Sequence, residues 1–388
     1  MSKRICVVTG SRAEYGLLRT LVKEMERDND FQSEVVVIGS HLESRFGNTV
    51  SEIERDGVFI AGRIHTPIQI TSPRHILTSM SQCLEEFNHY LFKAQPDLIV
   101  ILGDRYELLS IAYAAIIYNI PIAHIHGGES SSGSFDDSIR NSLTKLSHLH
   151  FTAHAKYAKR VIQMGENPSR VYCVGALATD AIANARKFTK AEVEERLGFK
   201  LGEKNLLITL HPETLRPGSS SNNANVLVHA LSEAKDITLI FTAANADPEG
   251  DTINEIFKTF VSNNSNAHFV SSLGSEIYYS LLTFVDGLIG NSSSGILEAP
   301  FFAKPAINIG DRQFGRIQAK NVINCEFRVS DIKKSIEKLY SWQMQRLRHR
   351  FRNPYSGKSP SGQILKVLKE VDFHILVRKE FYDLKTRK

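Results

Sequence analysis

The 388-residue chain carries little that would tie it to a membrane, a nucleic acid or an oxidising compartment. No apolar run approaches the roughly 20 residues of a bilayer-spanning helix, so membrane insertion is not expected. The longest run, Leu108–Tyr118, fits a buried helix. Charge of one sign is scarce too: 47 basic and 42 acidic side chains leave a net +5, too even for nucleic acid as the partner. Cysteine is rare. Cys6, Cys83, Cys173 and Cys325 lie far apart and form no C-x-x-C, which reads as a reduced, cytoplasmic protein. Arg4–Val8 is already strand-like, leaving no room for a secretory leader. What is present is 42% hydrophobic and 23% charged residues, which excludes a disordered chain, and the length predicts two domains.

The pattern along the chain is continuous apolar strands alternating with helices, the mark of parallel sheets covered on both faces. In the first half the strands are Ile5–Val8, Val35–Gly39, Leu98–Leu102, Ile122–His126, His150–Ala153 and Val171–Gly175. In the second they are Asn205–Leu210, Thr238–Thr242, Ala267–Val270, Gly287–Ile289 and, last, Pro305–Ile309. The fold class is therefore α/β: two Rossmann-like, doubly wound domains facing a central cleft. The N-terminal domain covers 1–176 and the C-terminal one 177–359, with a helix in 360–388 packing back on the first. The segment Leu215–Asn225, rich in Ser, Asn, Pro and Gly, reads as a mobile surface loop, and the basic tail Arg378–Lys388 as a solvated helix end.

In doubly wound sheets ligands bind beyond the carboxyl ends of the strands, and five clusters fall there. Gly10-Ser11-Arg12 forms a strand-to-helix turn whose free N–H groups suit an anion, with Arg12 adding a phosphate contact; a plain turn with a surface arginine is the competing reading. Asp104 and Arg105 follow a buried strand and either pair with each other or act as acid–base group and substrate contact. His124 and His126 alternate onto one strand face, followed by Glu129, Asp136 and Asp137. No third ligand stands at a telling spacing, so no metal is expected; acids and histidines together fit proton abstraction from carbon, while Asp136 or Asp137 could equally cap a helix. His211 ends the first strand of the second half, where it could meet a diphosphate or be a satisfied structural histidine. Last come Asn291-Ser292-Ser293-Ser294-Gly295 with Glu298, then Arg312. That turn offers hydroxyls and N–H groups to a phosphate, Glu298 fits ribose hydroxyls, and Arg312 supplies positive charge.

The ordered set SRAEYG, LGDRYE, HIHGGE, DDSIR, LHPET, Asn245-Ala246-Asp247, GNSSSG with Glu298, and IGDRQ closely resembles the hydrolysing UDP-N-acetylglucosamine 2-epimerases of bacterial sialic-acid synthesis, from about Ile5 to Val322. The resemblance implies a glycosyltransferase-B type fold, a homodimer, and release of UDP and N-acetylmannosamine through a glycal intermediate, with no metal or other cofactor. It implies that Arg12, Arg105, His211, Asn245, Ser292, Ser293, Ser294, Gly295, Glu298 and Arg312 bind the UDP-sugar. It also implies that Asp104, His126, Glu129, Asp136, Asp137 and His211 serve the chemistry. Related enzymes carry a catalytic glutamate where His126 stands, which leaves the base at C2 open between His126 and a carboxylate such as Glu129. Two rivals share the motifs: the same reaction on the UDP-linked 2,4-diacetamido-2,4,6-trideoxyglucose used for legionaminic acid, and a UDP-sugar glycosyltransferase. A nucleotide-sugar binder without turnover fits poorly with so many ionisable groups at strand mouths.

Overall fold

The computed structural model describes residues 2–43, 48–66, 72–130, 135–244 and 249–384. Two compact units divide the chain. The first takes in the chain up to Glu129, Asp136–Asn184 and everything from Tyr355 onwards. The second takes in Ala185–Pro354 together with Ser130 and Phe135.

The first unit is built on seven parallel strands: β1 (Lys3–Thr9), β2 (Phe31–Ile38), β3 (Ile60–Ile64), β4 (Leu98–Leu102), β5 (Ile122–Ile125), β6 (Leu149–Thr152) and β7 (Val171–Cys173). Their order is β3-β2-β1-β4-β5-β6-β7, so the winding reverses between β1 and β4. Because successive side chains point to opposite faces, β1 divides itself between two cores. Ile5 and Val7 pack with helix Arg12–Glu26 and with Ile364, Leu365 and Leu368 of helix Pro360–Glu370, while Cys6 and Val8 pack with helices Pro73–Ala94 and Glu107–Ile117.

The second unit repeats the plan with β8 (Asn205–Thr209), β9 (Thr238–Thr242), β10 (Ala267–Val270), β11 (Gly287–Gly290), β12 (Ala306–Ile309) and β13 (Val322–Cys325), in the order β10-β9-β8-β11-β12-β13. Its switch lies between β8 and β11. Both units are thus Rossmann-like, as the strand pattern predicts.

Four expectations need correction. β3 and β13 do not stand out as apolar runs, since IAGRI and VINC are edge strands covered only in part, so Pro305–Ile309 is not the last strand. Most of Leu215–Asn225 is not loop: Ser220–Leu231 is a helix. Its poor helix formers are held by a carboxylate from elsewhere, with the Gly218 and Ser220 N–H groups donating to Glu249 Oε1 and Oε2 at 2.6 and 3.3 Å. Finally, helix Phe373–Leu376 ends before the basic tail, and Lys379 does not dangle in solvent but donates into the carbonyls of Lys145 and Ser147. The fourth concerns His126, which lies past the end of β5 rather than within it. No helix among the described residues is long and apolar enough to cross a membrane.

Candidate active site

At the mouth of β1 part of the anticipated anion cradle is already taken by the chain's own groups. The Gly10 N–H donates to Glu14 Oε2 at 2.7 Å, and the Glu14 N–H donates to Ser11 Oγ, which caps helix Arg12–Glu26. The Gly10 N–H is therefore not free for a phosphate. Burial pushes the Glu14 carboxyl up to about 7; Arg105 opposes that rise while Glu107 and Asp104 add to it. A Gly10 side chain would start 3.2 Å from Glu14 Oε2 and 3.3 Å from Arg105 Nε, tight enough that one of these side chains would have to shift slightly. Arg12, the first residue of helix Arg12–Glu26, has its charge opposed by burial and favoured by Glu52.

Asp104 and Arg105 do not pair with each other. Arg105 makes a forked contact to the fully buried Glu107, at 2.7 Å from Nη2 and 3.2 Å from Nε. Asp104 takes a close charged hydrogen bond from Arg140, four residues into the helix Asp136–Leu146. The Arg140 side chain is 3% exposed, and among the described residues its Nε and Nη1 have no hydrogen-bond partner. A buried guanidinium with one hydrogen-bonded corner and two idle ones is costly unless a further acceptor arrives. Asp136 and Asp137 occupy the first turn of the same helix, where their charge meets the positive helix end.

His124 and His126 have different duties. His124 is fully buried between the Gly103 carbonyl, 2.7 Å from Nε2, and Thr144 Oγ1, 3.2 Å from Nδ1; burial holds it near 3, hence neutral. Since a carbonyl only accepts, Nε2 carries the proton. His124 is thus a structural clamp on the loop that carries Asp104. His126 sits at φ +65°, a left-handed conformation strained for a non-glycine residue. Its Nε2 accepts the Leu177 N–H at 3.3 Å, which places the neutral tautomer's proton on Nδ1, 3.6 Å from Glu129 Oε1. Both Glu129 and His126 are buried.

In the second unit, the ends of β8 and β11 are stapled by Asn291. Its Oδ1 accepts the His211 N–H at 2.7 Å and its Nδ2 donates to the His211 carbonyl at 2.8 Å. Its own carbonyl accepts from Gln313 Nε2 at 2.8 Å and, more weakly, from Arg312 at 3.4 Å. Gly290 must be glycine: at φ +136° its side chain would start 1.8 Å from the Thr209 carbonyl oxygen. Burial, aided by Arg312, drives His211 well below its ordinary value, so it is a neutral hydrogen-bonding group. The helix after the serine turn is a single α-turn, Ser294–Leu297, running through Glu298 into the 3-10 turn Ala299–Phe302. It is too short for the macrodipole of a full helix, and the turn offers hydroxyls and amides instead. Glu298 is raised by burial and opposed by Ser294 and Arg316, while Ser294 Oγ is in close hydrogen-bond contact with the Tyr278 hydroxyl.

This strand-mouth arrangement, repeated in two units, has a counterpart among known families. A family model described as UDP-N-acetylglucosamine 2-epimerase matches residues 23–369. The chain belongs to that family. A GDP/UDP-N,N'-diacetylbacillosamine 2-epimerase (hydrolyzing) of Campylobacter jejuni is 41% identical over 99% of this chain and 100% of its own. The polysialic acid biosynthesis protein P7 of Escherichia coli is 36% identical over 98% of each. The crystal structure of UDP-GlcNAc 2-epimerase from Neisseria meningitidis, bound to UDP-GlcNAc, shares the fold at a TM-score of 0.79 over 94% of this chain and 99% of that one, at 15% identity. The chain is thus a UDP-sugar 2-epimerase of the hydrolysing kind, on the glycosyltransferase-B type of fold.

Within the 2-epimerase frame, Arg12, Asp104, Arg105 and Asp136/Asp137 lie on the β1/β4/β5 side of the first unit, with His126 and Glu129 just past β5. His211, Ser292, Ser293, Ser294, Gly295, Glu298 and Arg312 lie around β8, β11 and β12 of the second. Asn245 falls outside the described residues. Among the described residues no group of three or more His, Cys, Asp or Glu is placed to hold a metal ion. Glu14 and Arg140 stand within the motifs without any mark of a role, and Asn291 belongs to the serine cluster without any sign that it ties the strand ends together. Their roles depend on partners such as Asp104 or His211, tens of residues away for the last two, and no local spacing marks those pairings.

Proposed function

We propose that the chain hydrolyses UDP-N-acetylglucosamine with inversion at C2, giving UDP and N-acetylmannosamine for a sialic-acid-type surface glycan. A base takes the C2 proton, the C2–H electron pair forms the C1=C2 bond, and the C1–O pair leaves with the diphosphate. Water then adds its hydroxyl at C1 and a proton reaches C2 from the opposite face, so substrate and water account for both products. The observation that carries the reading is the division of groups between the two units. The second holds a neutral histidine, arginine and a serine turn suited to a diphosphate, and the first holds carboxylates, one of which, Glu14, already takes the Gly10 N–H.

In this reading Ser292, Ser293, Ser294, Gly295, Arg312 and Asn245 hold UDP and Glu298 the ribose. His211 donates an N–H to the leaving oxygens, and Arg12 and Arg105 add positive charge. Asp104, Glu129 and Asp136/Asp137 serve the proton steps. His126 orients Glu129 rather than acting as the base, because its Nε2 lone pair is engaged by Leu177. Four free cysteines fit a reducing cytoplasm. Exposed Leu77, Leu84 and Phe92 on helix Pro73–Ala94, with Tyr113 and Ile117 on helix Glu107–Ile117, supply apolar surface for a homodimer, which light scattering tests directly.

The 41% identity to the diacetylbacillosamine enzyme favours a second reading, UDP-2,4-diacetamido-2,4,6-trideoxyglucose as substrate of the same reaction. One experiment addresses both. Each UDP-sugar is incubated with enzyme in deuterated water and followed by NMR, with no acceptor present. UDP release from UDP-N-acetylglucosamine and deuterium at C2 of N-acetylmannosamine are the expected result. Release from the diacetamido sugar alone selects the second reading, and a product without C2 deuterium rejects proton abstraction with solvent exchange.

A further inference from the structure

The family model ends at residue 369, and the chain beyond it follows a path with a purpose of its own. After helix Phe373–Leu376 it runs back along the first unit, held at Leu376 and Arg378 by Arg170, whose guanidinium donates to both carbonyls at 3.1 and 3.0 Å. The Tyr382 N–H then donates to the Gly165 carbonyl at 2.9 Å, and the Phe381 ring covers Gly165 so closely that no side chain fits beneath it.

Between these anchors lies Lys379. Its Nζ donates to the Lys145 carbonyl at 2.5 Å, the Ser147 carbonyl at 2.6 Å and Glu166 Oε2 at 2.8 Å, which uses all three of its protons. Lys145 is in the last turn of helix Asp136–Leu146, where carbonyls lack intrahelical partners and the helix end is negative. Glu166 is buried and is shared with Lys145 Nζ at 2.5 Å and His150 Nε2 at 2.9 Å, so the clamp reaches the sheet through β6. The tail therefore adds a cation at the carbonyl end of a helix whose own last-turn cation, Lys145, is engaged by Glu166.

That helix carries Asp136 and Asp137 in its first turn and Arg140 against Asp104, and Thr144 meets the His124 clamp under Gly103. Eleven residues make a rod of about 16 Å, so a slip at the capped end is transmitted to the carboxylates at the other. We infer that the C-terminal segment Lys379–Tyr382 is a strap, and that Lys379 is a positioning residue that fixes the helix bearing Asp136, Asp137 and Arg140 for the 2-epimerase reaction. Lys379 touches no substrate; it acts through the helix.

The inference rests on the proposed function for its kinetic consequence but not for its structural one, and two measurements on the full-length protein keep them apart. Hydrogen exchange reads the amides of Asp136–Leu146 in Lys379→Met, Lys379→Arg and wild type. Steady-state assay reads kcat, KM and UDP affinity for the same three. The expected result for Lys379→Met is faster exchange in that helix, kcat lower by roughly tenfold, and KM and UDP affinity unchanged, with Lys379→Arg recovering most of kcat. Phe381→Ala, which loosens the strap while leaving Lys379 in place, should give a smaller change in the same direction. Unaltered exchange in the helix overturns the strap whatever the activity. Faster exchange with wild-type kcat overturns the positioning role. Equal losses in the Met and Arg variants, accompanied by general unfolding, overturn it as well. If wild type releases no UDP from either sugar, the functional reading falls while the exchange result still decides the strap.

Discussion

Asp104 is the residue on which geometry and chemistry converge. It stands at the switch between β1 and β4, partly exposed, with Arg140 holding one oxygen. Asp104→Asn removes the proton-transfer group we propose and leaves the buried Arg140 without its counter-charge. Turnover should fall by about 100-fold or more while UDP affinity, which we propose resides in the other unit, stays unchanged. Wild-type turnover would remove Asp104 from the mechanism. Glu14 offers a second test with a definite sign. Its folded value, about 7, is above that of an ordinary glutamate, so the fold binds a proton that the unfolded chain has released between roughly 4.5 and 7. The burial cost of its charge is fully present above 7 and fades as pH falls. Glu14→Gln keeps an acceptor for the Gly10 N–H without that charge, so it should raise the melting temperature more at pH 8 than at pH 5. An equal gain at both values would show that the carboxylate ionises normally. Neither prediction was available from spacing alone: the motifs contain Glu14 and Arg140, but their meaning comes from Gly10, Arg105 and Asp104 after folding.

At the scale of elements, the central strands were legible because they are buried on both sides and read as unbroken apolar runs; Leu98–Leu102 and Thr238–Thr242 match residue for residue, as does the edge strand Ala267–Val270. Two other edges were not. β3 and β13 are half covered, so their sequences obey no strict pattern, and helix Ser220–Leu231 depends on Glu249, nearly thirty residues on, to cap residues that do not favour helix. At the end of β11 the expected serine turn is present, but the helix behind it is one turn long. What makes that turn possible is Gly290, which lets β11 pass the Thr209 carbonyl. Gly290→Ala combines an unfavourable backbone conformation with a clash against main chain that cannot swing aside. It should cost about 3 to 5 kcal/mol in urea denaturation. It should also weaken UDP binding, since Asn291 and the serine turn follow directly. A loss below about 1 kcal/mol would mean that the two strand ends separate easily.

For the whole molecule, the two units differ in how they should meet acid. The first buries His41, His124 and His148 as neutral groups, held by burial at about 3, about 3 and about 4. In the unfolded chain each titrates near 6.5. Between that value and the folded ones, the unfolded state binds protons that the fold refuses, so stability is intact above about 6.5 and is lost as pH falls. Each such histidine contributes a slope of up to about 1.4 kcal/mol per pH unit, and three of them about 4. Glu14 works in the opposite direction in the same window and offsets part of this, because its fold-bound proton gains stability as pH drops towards 4.5. In the second unit His211 behaves likewise and His268 is lowered only by partial burial, so fewer buried histidines resist protonation there. Calorimetry from pH 7 to pH 4.5 should therefore show a first transition moving down faster than a second, with the earlier one assigned to the strands β1–β7 by hydrogen exchange. His41→Gln is the control: Thr9 and Thr49 can still hydrogen-bond an amide, at 3.0 and 2.9 Å from the present ring nitrogens, so the variant should flatten the acid slope of the first transition and leave the second alone. A slope unchanged in His41→Gln would mean that this histidine is protonated in the fold, and that acid sensitivity arises from the carboxylates instead.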